Sequence, residues 1–200
     1  MIPIQFIIHT NWFINSTEVA EQALEGGCRW IRLHFEETYE VDKKTLALQI
    51  QKLCKEHGAT FMIDDEVTLC KDIEADGVHL SDVSLMVKEV REVLGHEFII
   101  GASARTFDDV KRHKCESADY VCCDLPKIDN ENNPWKEFET IIQQMQSEEL
   151  RIPLCAMGDI ELTDILPLLD VGIQGFALDQ TIYRSGSIIE TMRQFLNADE

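Results

Sequence analysis

Short apolar runs alternate with longer amphipathic stretches along the whole chain, and this alternation constrains the fold more than any other feature. The runs read as strands near Ile4–His9, Trp30–His34, Thr60–Ile63, Gly77–Leu80, Phe98–Ala102, Tyr120–Cys123, Leu154–Met157 and Gly175–Leu178. They are rich in Ile, Val, Phe and Cys, as strands covered on both faces are. Helical patterns fill the intervals, at Glu18–Glu25, Asp42–His57, Val67–Glu74, Ser84–Leu94, Thr106–Lys114, Trp135–Gln146, Leu162–Leu169 and Ser187–Leu196. Glycines stop the first two, at Gly26-Gly27 and Gly58, and Pro134 stands where the sixth begins. Strict strand–helix alternation gives parallel βα units that wind with one hand. An open doubly wound sheet would show a glycine-rich turn after its first strand. Here that turn runs from His9 to Thr17 without a glycine. The expected fold class is therefore α/β, a single (β/α)8 TIM barrel over residues 1–200, short for such barrels but within their range.

Charge bounds the partners. Thirty-seven acidic residues against 18 basic ones give a net charge of −19, which disfavours nucleic acid and anionic membrane surfaces. Phosphorylated small molecules would also be repelled, unless local cations, metal ions or helix N-termini overcome the overall field. The seven cysteines form no C-x-x-C pair, and Cys122, Cys123 and Cys155 lie inside apolar runs. That pattern suits packed, reduced thiols in the cytoplasm. The N-terminus lacks the basic and small-residue features of a signal peptide. No apolar run approaches the ~18 residues of a membrane span.

In such a barrel chemistry sits where strands end and βα loops begin. Those positions hold His9-Thr10, Arg32 to His34, Asp64-Asp65-Glu66, His79 to Asp82, Ser103 to Arg105, Cys123-Asp124, Gly158-Asp159 and Asp179. The Asp64–Glu66 run suits a hard cation such as Mg2+, or the capping of the following helix. Arg32 and His34 share one side of their strand, which makes either an anion site or a core ion pair with a carboxylate. His79 titrates near neutrality when unperturbed and is a candidate acid or base, or else a packed ring satisfied by neighbours. Gly158 would let a phosphate approach a helix N-terminus, and the neighbouring Asp159 opposes that.

Five segments, in order, resemble the thiamine phosphate synthases and the wider group that includes the TenI-type thiazole tautomerases. They are EGGCRWIRLH, GATFMIDDEVTLC, ADGVHLSDVSL, FIIGASART and IPLCAMGDI. The resemblance implies Mg2+-assisted joining of a hydroxymethylpyrimidine diphosphate to a thiazole phosphate with release of pyrophosphate. By that likeness Asp65 matches the first metal aspartate, Ser103 the serine near the pyrimidine, and Gly158 a glycine of the phosphate loop. The second metal position falls on Ser84, with Asp82 beside it as a substitute. Asp64 stands where the family has Asn, and Lys127 is the cation left in the loop after the sixth strand. The family's Gln-Leu-Arg-x-Lys reads Arg32-Leu33-His34-Phe35-Glu36, its second phosphate-loop glycine reads Asp159, and the serine at the last strand reads Asp179. Carboxylates thus replace neutral or basic phosphate contacts. Two other outcomes follow from that exchange. One is proton transfer on a thiazole or other small ring, with His34 or His79 as acid or base. The other is a catalytically inactive paralogue that binds a ligand or partner. The expected partners are small phosphorylated pyrimidine and thiazole substrates, not nucleic acid or membrane, and a homodimer is compatible with them.

Overall fold

Eight parallel strands close on themselves in sequence order in a computed structural model, which describes residues 2–11, 15–38, 40–81, 86–124 and 135–198. The strands are β1 (Ile4–His9), β2 (Trp30–His34), β3 (Thr60–Asp64), β4 (Gly77–Leu80), β5 (Ile99–Ala104), β6 (Tyr120–Asp124), β7 (Leu154–Met157) and β8 (Gly175–Leu178). Closure is the pairing of β1 with β8, where Ile4, Gln5 and Phe6 face Phe176, Ala177 and Leu178. The helices are α1 (Ser16–Glu25), α2 (Lys43–His57), α3 (Val67–Asp72), α4 (Val87–Leu94), α5 (Phe107–Cys115), α6 (Lys136–Ser147), α7 (Ile165–Val171), α8 (Gln180–Tyr183) and α9 (Ile188–Leu196). The chain therefore folds as a single TIM barrel. Among the described residues no helix is long and apolar enough to cross a membrane.

Local chemistry sets the helix ends. Asn15 caps α1 by accepting from the amides of Thr17 and Glu18, and Asp42 caps α2 through Thr45. Thr106 and Asp109 form a reciprocal capping box at α5. Gly58 closes α2 in the left-handed conformation, the expected glycine stop. Two departures are local. The seventh pattern begins as a 3-10 turn over Leu162–Asp164 before α7, and α8 is a single turn too short to leave a period in the sequence. Pro134 lies outside the described residues.

The strands alternate between two cores. Phe6, Ile31, Phe61, Val78, Ile100, Val121, Leu154 and Phe176 point outward into the main cluster under the helices. Ile7, Met62, Tyr120, Cys122, Cys155 and Ala177 point inward and pack with Trp30, Ile99 and Met157. Period-2 alternation sends each strand's remaining inward positions into the barrel, and these are polar toward the C-terminal ends. Gly101 is where two strands make room for a ring, since a Cβ there would stand 2.2 Å from Tyr120 Cζ. Gly101→Ala is expected to cost about 1–3 kcal/mol by overpacking, read as a lowered denaturant midpoint with unchanged slope. An unaltered midpoint would show that the ring can move aside.

Candidate active site

A connected line of polar side chains crosses the barrel interior. Ser103 Oγ lies 3.0 Å from His79 Nε2, and His79 Nδ1 lies 3.0 Å from the Tyr120 hydroxyl. Gln5 Nε2 donates to that hydroxyl at 2.9 Å, and Arg32 donates to Gln5 Oε1 at 3.2 Å. Arg32 Nε then meets Asp64 Oδ1 at 2.6 Å, and Asp64 Oδ2 meets His34 Nδ1 at 3.0 Å. Donor roles follow along the line. Tyr120 accepts from Gln5 and directs its own proton to His79 Nδ1, a stronger acceptor than the Met62 thioether 3.5 Å away. His79 then carries its proton on Nε2 and donates to Ser103, whose hydroxyl hydrogen remains for the mouth.

Burial decides the charges. Arg32 and Asp64 are only 3% exposed each. Burial alone would raise the Asp64 pKa, but the Arg32 charge and the His34 bond hold it below the usual carboxylate range. His79 is fully buried, and burial followed by the Arg32 charge drives it well below the usual imidazole value. It is therefore neutral, with both ring nitrogens engaged by protein.

A second group gathers where β1, β2 and β8 end. His9 and His34 are register partners, with ring centroids 5.0 Å apart. His9 Nδ1 lies 2.9 Å from Glu36 Oε1, and Nε2 lies 3.2 Å from Asp179 Oδ2. His34 Nε2 faces the same Glu36 oxygen at 4.0 Å. The Glu36 amide donates to Thr10 Oγ1, and the Thr10 amide to the His34 carbonyl, which pins the strand-end turn. The His9 amide donates to the Tyr183 hydroxyl at 3.1 Å. Burial lowers the His9 pKa, yet the bonds to Asp179 and Glu36 outweigh it and raise the pKa above the usual value.

Asp65 follows β3 in the left-handed region at φ 55°. Few non-glycine residues tolerate that conformation, and Asp is among them. It turns the carboxylate toward Ser81, whose amide donates at 2.9 Å and whose hydroxyl also donates. α3 is capped by neither Asp64 nor Asp65. Its N-cap is Glu66, without a side-chain cap bond, and the Glu66 carboxylate pairs with Lys43. Gly158, after β7, has φ 121°, and a Cβ there would meet Asp124 Oδ1 at 3.3 Å. Asp159 is exposed and pairs with Arg184.

The structure thus brings Arg32, His34, Asp64, His79 and Ser103 into one network, with Asp65 and Gly158 at neighbouring strand ends. Asp82, Ser84 and Lys127 lie outside the described residues. Arg32 does not project as a free anion contact, because its charge is committed to Asp64. His79 offers no ring nitrogen to a substrate, because Tyr120 and Ser103 take both. Gln5 and Tyr120, not singled out from sequence, complete the line, and His9, Glu36 and Asp179, noted at strand ends or family positions without an assigned role, form a group of their own. Period 2 marks Gln5 and His9 as inward with Ile7, but their partners lie on strands distant in sequence.

The buried histidines give a pH signature. His113 is also nearly buried; its Nε2 donates to the Ser103 carbonyl, and its Nδ1 has no partner among the described residues. Burial lowers its pKa too. Well above pH 6.5 neither state protonates these rings appreciably, so they add little pH dependence there. As pH falls below 6.5 the unfolded chain binds protons that the folded chain refuses, and stability drops by up to about 1.4 kcal/mol per pH unit for each ring. Urea unfolding between pH 7 and 5 should therefore give a shallower decline for the H79Q/H113Q double variant than for the parent. Equal slopes would contradict neutral burial.

The family described as thiamine monophosphate synthase matches residues 4–182. A thiamine-phosphate synthase of Phocaeicola vulgatus is 40% identical over 202 aligned positions, covering 98% of this chain and 97% of that protein. One from Flavobacterium johnsoniae is 34% identical over 91% of this chain and 89% of its own length. Among solved structures, a thiamine phosphate pyrophosphorylase from Pyrococcus furiosus superposes with a TM-score of 0.83 at 21% identity, covering 98% of this chain and 95% of its own. That of Bacteroides thetaiotaomicron gives a TM-score of 0.72 at 18% identity, covering 100% of this chain and 98% of its own. At those identities the structural likeness speaks for the fold.

Proposed function

The chain belongs to the thiamine monophosphate synthase family, and from that premise we propose that it joins a hydroxymethylpyrimidine diphosphate to a thiazole phosphate with release of pyrophosphate. The observation that carries this reading is the placement of Asp65, Ser103 and Gly158. They sit at the C-terminal ends of β3, β5 and β7, on one mouth of a closed barrel, the end where barrels of this kind do chemistry.

The roles follow from the contacts. The buried line behind Ser103 fixes its oxygen as an acceptor from His79, so its O–H is presented to a polar atom of the pyrimidine. His79, Tyr120 and Gln5 act as positioning residues. Gly158 leaves backbone open for a phosphate where a side chain would press on Asp124. Mg2+ suits this mouth because a strained backbone aims the Asp65 carboxylate at Ser81, the start of the segment that carries Asp82 and Ser84. Asp65, with Asp82 or Ser84, would hold it through oxygen ligands. When bound it neutralises charge on the departing pyrophosphate. The seven unpaired cysteines, six of them buried, fit a cytoplasmic location.

A thermal shift tests ligand capture. Pyrophosphate with Mg2+ should raise the melting temperature, since a ligand that binds only the native state stabilises it by mass action. No shift with millimolar amounts of both would count against the reading. A second reading rests on His34, which is half-buried, oriented by the buried Asp64 and open at Nε2. That dyad fits a general base for proton transfer on a small ring. If H34A abolished an isomerase activity while the purified protein formed no thiamine phosphate, this second reading would replace the first.

A further inference from the structure

We propose that His9, His34 and Glu36 form a binding site for a divalent cation of the Zn2+ class at the mouth of the barrel. One ligand atom from each lies within 4.8 Å of the others. Two imidazoles and a carboxylate are ligands suited to Zn2+ and similar ions, whereas Mg2+ prefers an all-oxygen shell. Ligands about 2 Å from a shared tetrahedral ion stand roughly 3.3 Å apart, and never more than about 4 Å. His34 Nε2 is already 4.0 Å from Glu36 Oε1, and His9 Nδ1 is 2.9 Å from it. Closing the set to the tetrahedral spacing takes side-chain shifts of up to about 1.5 Å.

The shell behind the ligands is the independent observation. His9 turns its far nitrogen to Asp179, and His34 turns its far nitrogen to the buried Asp64. Carboxylates behind metal-bound imidazoles fix the tautomer, orient the ring and raise ligand basicity. Both rings therefore aim a lone pair at the same place beside Glu36. The parallel register of β1 and β2 sets the two rings side by side, and Thr10 anchors the Glu36 amide. Charge agrees. With neutral imidazoles, the carboxylates of Glu36, Asp64 and Asp179 outweigh the single Arg32 guanidinium by two charges, which a divalent cation cancels.

The side chains of His9, His34 and Glu36 are 23%, 29% and 41% exposed, so an ion can enter and keep open positions toward solvent. Three protein ligands with an open position are the pattern of catalytic rather than structural zinc. Such an ion would put positive charge at a mouth otherwise lined by carboxylates, and it would accept a water or a phosphate oxygen. The site depends on nitrogen ligands at β1 and β2, not on Asp65, so it stands or falls apart from the proposed reaction.

The test is titration of the purified, metal-stripped chain with Zn2+, and with Co2+ as a spectroscopic probe, in a Cys115→Ser background that removes the exposed thiol. Expected is one ion per chain, a cobalt spectrum without a sulfur charge-transfer band, and no competition from millimolar Mg2+. E36Q and the H9A/H34A double variant should lose this binding. D179N, which meets the ligand set only at the rear of His9 and keeps an oxygen for the Gln180 amide, should weaken it by about 10–100-fold. Circular dichroism of E36Q, altered at the most exposed ligand, checks that folding persists. Zn2+ binding undiminished in E36Q and in H9A/H34A, a thiolate spectrum, or no binding at all would overturn the proposal.

Discussion

Replacing Arg32 with methionine is expected to destabilise the chain by about 3–5 kcal/mol, the usual cost of removing one partner of a buried ion pair. For a chain of this size that is a fall in melting temperature of roughly 6–20 °C. Asp64, at 3% exposure, would lose the Arg32 charge that does most to offset its burial and be left with the His34 bond. Asp64→Asn leaves the opposite fault, a buried guanidinium without its counter-ion. The double variant R32M/D64N should cost less than the sum of the two, because neither charge is then stranded. Additive losses in that cycle would mean that the pair is not the joint on which the inner network turns.

Asp65→Asn is the second large effect, and it acts on turnover rather than on folding. Asn retains an oxygen for the Ser81 amide, and it tolerates the left-handed backbone that Asp65 adopts. The melting temperature should therefore move little. Removing the carboxylate removes the proposed metal ligand at the point where pyrophosphate departs. Several kcal/mol of transition-state stabilisation go with it, a loss of about 100–1,000-fold in turnover. A D65N enzyme with near-parental rate at saturating Mg2+ would detach Asp65 from the chemistry.

The barrel was legible in the sequence because each strand is an apolar run bounded by a turn or glycine, and the helices keep their period. The strand ranges differ from the expectation by one or two residues, as at Asp64 and Ala104. A one-turn helix such as α8 has no room for periodicity to show. The strand ends also pointed to a polar rim, since a barrel puts those positions at one mouth. What each rim residue does was less legible. Arg32 and His34 share one face by parity, yet parity cannot say that Asp64, on the next strand, takes both. Whether His79 is a base or a packed ring depends on Tyr120, which is 41 residues away and reaches it across two strand pairings. His9, Glu36 and Asp179 meet only because β1 closes against β8, and no local pattern encodes that closure.

The exchange of basic for acidic groups at the rim gains a physical reading from these contacts. Glu36 and Asp179 do not stand bare against an incoming phosphate, because both hold His9. Asp159 points outward to Arg184. Those three carboxylates are therefore held by partners within the protein, while Glu36 and Asp179 keep their negative charge where His9 is neutral.

The most direct test of the central claim is product formation by the purified protein. The hydroxymethylpyrimidine diphosphate and the thiazole phosphate are supplied with Mg2+, and thiamine phosphate and pyrophosphate are both quantified. The account predicts the two products in equal amounts, dependent on Mg2+, and sharply reduced in D65N. No thiamine phosphate at enzyme concentrations comparable to substrate, from a protein that remains folded, would contradict it.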